Sequence, residues 1–185
     1  MIEVGKEIPH AVFRKRVRDE SIEGDNPFKW VDVETQEVFK NRRVLVFALP
    51  GAFTPTCSTY QVPGFVEQRE TIKALGIDEI YVLSVNDTFV MRKWLIDLDA
   101  LDKIDFLPDG AAEFTKGMDM VVDLSNIGFG KRSRRYAMVV DDGKVEQSFV
   151  EPDATEENPD PYGESSPESV LKYLKEVDQK KRLTK

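Results

Sequence analysis

Cys57 is the only cysteine among 185 residues, and it stands in the run Leu49-Pro50-Gly51-Ala52-Phe53-Thr54-Pro55-Thr56-Cys57-Ser58. A strand-like apolar run, Val44 to Leu49, precedes a turn of small residues. Thr54 is then a good N-cap and Pro55 a good first helical residue. That register puts Cys57 third in the helix, where backbone N–H groups lack partners and the helix dipole is positive. Such a setting lowers a thiol pKa and makes it a nucleophile. A lone cysteine is also often a small buried hydrophobe. The local frame leaves both readings open.

Ionisation alone does not make a catalyst. At a reference pKa of about 8.5, about 3% of a thiol is ionised at pH 7, so full ionisation gains at most about thirtyfold, or ~2 kcal/mol. Enzymes accelerate reactions about a millionfold or more. A catalytic thiol therefore needs groups that place the substrate and stabilise developing charge. Thr54, one turn before Cys57, offers a hydroxyl, and its simpler role as a helix cap is compatible with that. The basic run Lys131-Arg132-Ser133-Arg134-Arg135 offers cations, most of which are expected in a solvated loop. Arg135 differs, because it enters the strand-like run Tyr136–Val140. Alternation along that strand can aim it inward, where a guanidinium needs an anionic partner such as a thiolate.

Other chemistries lack their residues. There is no Cys-x-x-Cys for disulfide exchange, no phosphate loop and no zinc-ligand spacing. A Cys–His hydrolase would have to use His10, the single histidine, which no local motif supports. Metal binding would rest on carboxylates alone, without a clustered pattern.

The elements that must position these residues are readable. Val44–Leu49, Ile80–Val85 and Tyr136–Val140 look like buried strands. Asp141-Asp142-Gly143-Lys144, followed by Val145–Phe149, reads as a hairpin. Helical patterns fall at roughly 55–75, 88–98 and 111–118. The last helix runs from Pro167, with Ser166 as N-cap. Pro63 is expected to kink or break the 55–75 helix. Val12–Val17 and Phe28–Val33 suggest a small N-terminal hairpin, and Asp153–Ser165 an exposed loop. Together they predict one α/β domain over residues 1–185, a mixed sheet flanked by helices, with a parallel pair bridged by the 55–75 helix.

Composition bounds the setting. The chain is 41% hydrophobic and 32% charged, with net charge −8, which argues against nucleic acid or an anionic membrane surface as main partner. No apolar run approaches the roughly 20 residues needed to span a bilayer. The start, Met1-Ile2-Glu3-Val4-Gly5-Lys6-Glu7, has no apolar signal core, so a reducing, cytoplasmic setting is expected.

The sequence closely resembles the peroxiredoxins, and the peroxiredoxin-five subfamily in particular. The likeness is carried by Pro50–Ser58, Val62-Pro63-Gly64-Phe65-Val66-Glu67, Leu83-Ser84-Val85-Asn86-Asp87 with Phe89-Val90, the Trp94 region, and Arg135–Val140 with Asp142-Gly143. It runs over roughly residues 1–150, with a family-like final helix. The resemblance implies a thioredoxin-like fold with N-terminal additions and a thiol peroxidase acting on hydrogen peroxide and alkyl hydroperoxides. It implies that Cys57 is the peroxidatic cysteine, oxidised to a sulfenic acid. Thr54 and Arg135 would hold and polarise the peroxide, and Pro50 would shield the pocket. No metal or organic cofactor is implied. Some members carry a resolving cysteine after the hairpin, whereas Glu151 to Ser165 here has none. The expected reductant is an outside thiol: glutathione with glutaredoxin, or alternatively thioredoxin. A redox sensor without efficient turnover is the rival function. The likeness also suggests a homodimer built near the active-site loops, with Phe53 and Phe89 as contacts or, failing that, as core residues.

Overall fold

The computed structural model describes residues 2–185. Among the described residues there are nine strands: β1 Val12–Arg18, β2 Phe28–Glu34, β3 Arg43–Ala48, β4 Glu79–Ser84, β5 Asp105–Pro108, β6 Val121–Asp123, β7 Lys131–Ser133, β8 Tyr136–Asp141 and β9 Lys144–Val150. The α-helices are α1 Thr35–Phe39, α2 Val62–Glu67, α3 Arg69–Ala74, α4 Thr88–Asp97, α5 Glu113–Gly117 and α6 Pro167–Leu183. The central sheet has the order β5-β4-β3-β8-β9. β3, β4 and β5 run parallel, while β8 and β9 are antiparallel to their neighbours. β1–β2 and β6–β7 form separate antiparallel ribbons.

Strand alternation explains the two cores. In β3 and the residue after it, Leu45, Phe47 and Leu49 join one buried cluster, and Val44, Val46 and Ala48 join the other. β4 divides the same way, Ile80 and Val82 against Tyr81 and Leu83. β8 follows, with Ala137 and Val139 opposite Tyr136, Met138 and Val140. Residues of α2, α4 and α6 cover the first face; Phe65, Trp94 and Val170 are fully buried or nearly so. Phe47 and Phe65 stack there with centroids 4.2 Å apart. Residues of β1, α1 and α5 cover the second face, through Phe13, Phe39 and Phe114. Burying each such aromatic contributes about 1.5–3 kcal/mol. Both faces of the sheet are thus covered, which is why its strands read as continuous apolar runs.

The anticipated N-terminal hairpin is present as β1–β2. The β8–β9 turn uses Asp142 and Gly143 at φ 47° and 80°, the positive values such a two-residue hairpin needs. Ser166 caps α6, its side chain accepting from the Ser169 N–H at 3.2 Å, with Pro167 in the first turn. Pro63, however, does not break the helix that follows Cys57. Cys57–Gln61 forms a π-helical turn, in which the Val62 N–H reaches back five residues to the Cys57 carbonyl, and Pro63 falls in the first turn of α2. The widened turn accommodates the ring. The actual interruption is at Gln68, between α2 and α3. Gly64 brings α2 against α6: a Cβ there would lie 2.9 Å from the Pro167 ring.

Candidate active site

β3 delivers the chain to a loop, Pro50–Thr54, that is tied down from three directions. The Arg132 Nη1 donates to the Pro50 carbonyl at 3.1 Å, and its Nε donates to the Phe129 carbonyl at 3.1 Å. Asn86 Oδ1 accepts from the Ala52 N–H at 3.0 Å and from the Ser84 hydroxyl at 2.6 Å. The Thr54 hydroxyl donates to the Gly51 carbonyl at 2.7 Å. A Cβ at Gly51 would sit 2.6 Å from the Arg132 Nη1, so a larger residue there would push that guanidinium off the Pro50 carbonyl. Phe53 adopts φ 63°, a left-handed conformation costing about 1–3 kcal/mol for such a residue.

Thr54 occupies the expected N-cap position, since its carbonyl accepts the Ser58 N–H at 3.0 Å. Its hydroxyl is committed to Gly51 instead of to the first-turn amides. Cys57 opens the π-helical turn and is fully buried. The Trp94 indole N–H donates to the Ser58 hydroxyl at 2.9 Å, fastening this turn to α4.

Arg135 meets the cysteine from the other side. It has the same parity as Ala137 and Val139, so β8 directs it to the face that holds Cys57. Its Nη1 donates to the Cys57 sulfur at 3.2 Å and also to Gln61 Oε1. Its Nη2 donates to Asp160 Oδ1 at 2.7 Å. The Tyr162 ring lies beside the guanidinium, 5.8 Å from its carbon to the ring centroid. The Nε is buried without a hydrogen-bond partner among the described residues. Burial by itself weakens the hold of the guanidinium on its proton. The Cys57 sulfur and the Asp160 carboxylate more than reverse this and push its pKa up. The cation is therefore permanent.

A cavity of about 290 Å³ opens beside this group. Pro50, Thr54 and Arg135 line it together with the apolar Leu124, Phe129 and Pro152. Cys57 does not line it. In this conformation the groups facing the cavity are the companions of the sulfur. The structure thus brings together all four residues singled out from the sequence: Cys57 with Arg135 in direct contact, and Thr54 and Pro50 on the same cavity wall. Phe53 and Phe89 are not core residues; they are 53% and 59% exposed.

Sequence reasoning missed Gln61, Asp160, Asn86 and Arg132. Gln61 was findable, because it lies one helical turn after Cys57 and faces the same way. Arg132 was assigned to a solvated run, yet its guanidinium holds the loop. Neither Asn86 nor Asp160 carries a local signal for its part in the site, as Ala52 and Arg135, the groups they hold there, are 34 and 25 residues away.

Residues 4–164 match the Redoxin family model. A peroxiredoxin of Synechocystis is 49% identical over 169 residues, covering 91% of this chain and 89% of that protein. Among solved structures, reduced Prx3 of Vibrio vulnificus in complex with hydrogen peroxide superposes with a TM-score of 0.82 at 36% identity, covering 94% of this chain and 99% of that one. The Plasmodium falciparum antioxidant protein, a 1-Cys peroxiredoxin, gives a TM-score of 0.83 at 34% identity, covering 93% and 99%. The mixed sheet with helices on both faces is a thioredoxin-like fold. With its buried cysteine held by an arginine at the end of the central strands, this chain belongs to the peroxiredoxins.

Proposed function

We propose that the protein is a one-cysteine thiol peroxidase of the peroxiredoxin-five type, reducing hydrogen peroxide and alkyl hydroperoxides through Cys57. The observation that carries this reading is a permanent cation 3.2 Å from a buried cysteine sulfur, beside a cavity that Thr54 and Pro50 also line. In the first step the Cys57 thiolate attacks one peroxide oxygen. An S–O bond forms as the O–O bond breaks. Sulfur is oxidised by two electrons to a sulfenic acid, and the other oxygen takes up the proton that the thiol released on ionising and leaves as water or an alcohol. Arg135 donates to the peroxide oxygens while charge moves from sulfur to the leaving oxygen, and Thr54, whose hydroxyl proton is given to Gly51, holds the peroxide by accepting its O–H. Pro50 keeps water from the pocket. Support for the substrate comes from the Vibrio neighbour, whose structure was solved with hydrogen peroxide.

Recycling calls for another molecule, because the chain has no second cysteine. An outside thiol condenses with the sulfenic acid, releasing water and leaving a mixed disulfide. A second thiol then frees Cys57 and carries away the disulfide. We assign these thiols to glutathione with glutaredoxin, in a reducing cytoplasmic setting, with thioredoxin as the alternative. The one-cysteine Plasmodium neighbour supports an external reductant of some kind. Exposed Phe53 and Phe89, the latter packed edge-on against exposed Trp30 at 5.7 Å, support a homodimer beside the active-site loop. Sedimentation of the protein against a Phe89→Asp variant tests that: a monomeric wild type overturns it.

The decisive assay mixes protein, hydrogen peroxide and either glutathione plus glutaredoxin or a thioredoxin system, and follows peroxide loss. Continuous consumption that the Cys57→Ser variant lacks is expected. Consumption that stops after a single equivalent with every reductant would instead make the protein a redox sensor.

A further inference from the structure

The segment between β9 and α6 reads from its composition as an exposed loop, and most of it is exposed. Its two ends are nonetheless buckled together. Glu151, 5% exposed, accepts the Gly163 N–H, the Ser165 N–H and the Ser165 hydroxyl on one oxygen, each at 2.8 Å. Arg134 ties down the near limb, donating to Asp153 Oδ1 at 2.7 Å. The loop so closed presents Asp160 and Tyr162 to a single target, the guanidinium of Arg135.

We propose that Asp160 is a positioning residue for peroxide reduction, and that this buckled loop serves to hold its carboxylate on Arg135. The proposal rests on the peroxidase reading above. An arginine side chain has many rotamers, and its donors stabilise a transition state only when they are aimed in advance. In Arg135 the Nη1 is shared between the sulfur and Gln61. The carboxylate on Nη2 sets the remaining freedom, rotation of the guanidinium plane. Charge alone does not explain the contact. A second anion on the same guanidinium competes with the sulfur for its donors and sets like charge near it. Its benefit is therefore geometric. The side chain of Asp160 is also 48% exposed, so the bridge is on the solvent side of Arg135, where it can be removed without emptying the core.

The geometric role separates from the electrostatic one in three variants. Asp160→Ala frees the guanidinium. Asp160→Asn keeps an oxygen that accepts from Nη2 but removes the charge. Arg135→Met removes the target. Each is compared with the wild type in two reactions of Cys57: single-turnover reduction of hydrogen peroxide, and alkylation by iodoacetamide, which needs a thiolate but no held peroxide. Asp160→Ala is expected to slow the peroxide reaction about tenfold while alkylation stays within about twofold. Asp160→Asn is expected to recover most of the loss. Asp160→Ala in the Arg135→Met background is expected to add nothing. The proposal is overturned by a peroxide rate in Asp160→Ala within twofold of the wild type, by equal losses in both reactions, or by an Asn variant as slow as the Ala variant. If the wild type itself does not reduce peroxide through Cys57, it is the peroxidase reading that fails.

Discussion

Two groups of polar side chains are buried on opposite faces of the same sheet, and they differ in how completely they are satisfied. On the face covered by α5, Asp109 accepts the Phe114 N–H at 3.1 Å, the Thr115 N–H at 2.8 Å and the Thr115 hydroxyl at 2.6 Å. All three partners belong to the helix that the carboxylate caps. On the opposite face Arg135 divides one nitrogen between a sulfur and an amide, gives another to a half-exposed carboxylate, and leaves its Nε without a partner among the described residues. It also lines a cavity. Both groups are costly to bury. The first spends its hydrogen-bonding capacity on the fold. The second keeps donors in reserve beside space for a small molecule. Unspent capacity next to a cavity, more than burial or charge, distinguishes a site that does chemistry from one that fastens a helix.

The contrast can be broken experimentally. Cys57→Ser is expected to abolish peroxide turnover with any reductant, the largest effect of all, with little change in thermal unfolding; residual turnover would relocate the chemistry. Arg135→Met is expected to slow peroxide attack about 100-fold or more, as loss of a preorganised donor does. An unchanged rate would remove Arg135 from the site. Asp109→Ala is expected to do the reverse, lowering unfolding free energy by about 2–4 kcal/mol, because it strands two amides and a hydroxyl. Its rate per folded molecule should equal the wild type's. A selective loss of rate there would erase the distinction between the two faces.

The smallest effect is on pH dependence. Burial pushes the Asp109 carboxyl above the usual carboxylate range, outweighing the hydrogen bonds from Thr115 and Phe114. The folded protein therefore holds that proton at pH values where the unfolded chain has released it. This contribution to stability is full below the unfolded value and declines as pH rises through the folded one. Chemical denaturation of wild type and Asp109→Asn across mildly acidic pH should show the wild type losing ground relative to the variant as pH rises. A gap that closes in the other direction would mean the carboxylate is stabilised in its charged form. No matching dependence is expected from Arg135, whose charge does not titrate in this range.

Much of this was legible before any tertiary contact was known. Thr54-Pro55 after an apolar strand placed Cys57 in a first helical turn because capping and proline preferences act within a few residues. Period-two alternation in Tyr136–Val140 allowed Arg135 an inward aim, because a pleated strand fixes side by parity, and the fold sets it on the face shared with Ala137 and Val139. Asp142-Gly143 and Ser166-Pro167 marked a turn and a helix start for equally local reasons. The strand Asp105–Pro108 escaped notice, being four residues long and ending in proline. The helix expected to kink or break at Pro63 instead changes there from a π-helical turn to α2 and is interrupted only at Gln68. Which partners complete the site was decided only by the fold. Asn86 holding Ala52, Gln61 sharing a nitrogen with the sulfur, and Asp160 gripping Arg135 join segments that are distant along the chain. The sequence determined that the thiol would open a helix after a strand and that the cation could face inward; the tertiary structure alone decided that the two meet and how firmly each is held, since that depends on loops whose course is set by what they pack against.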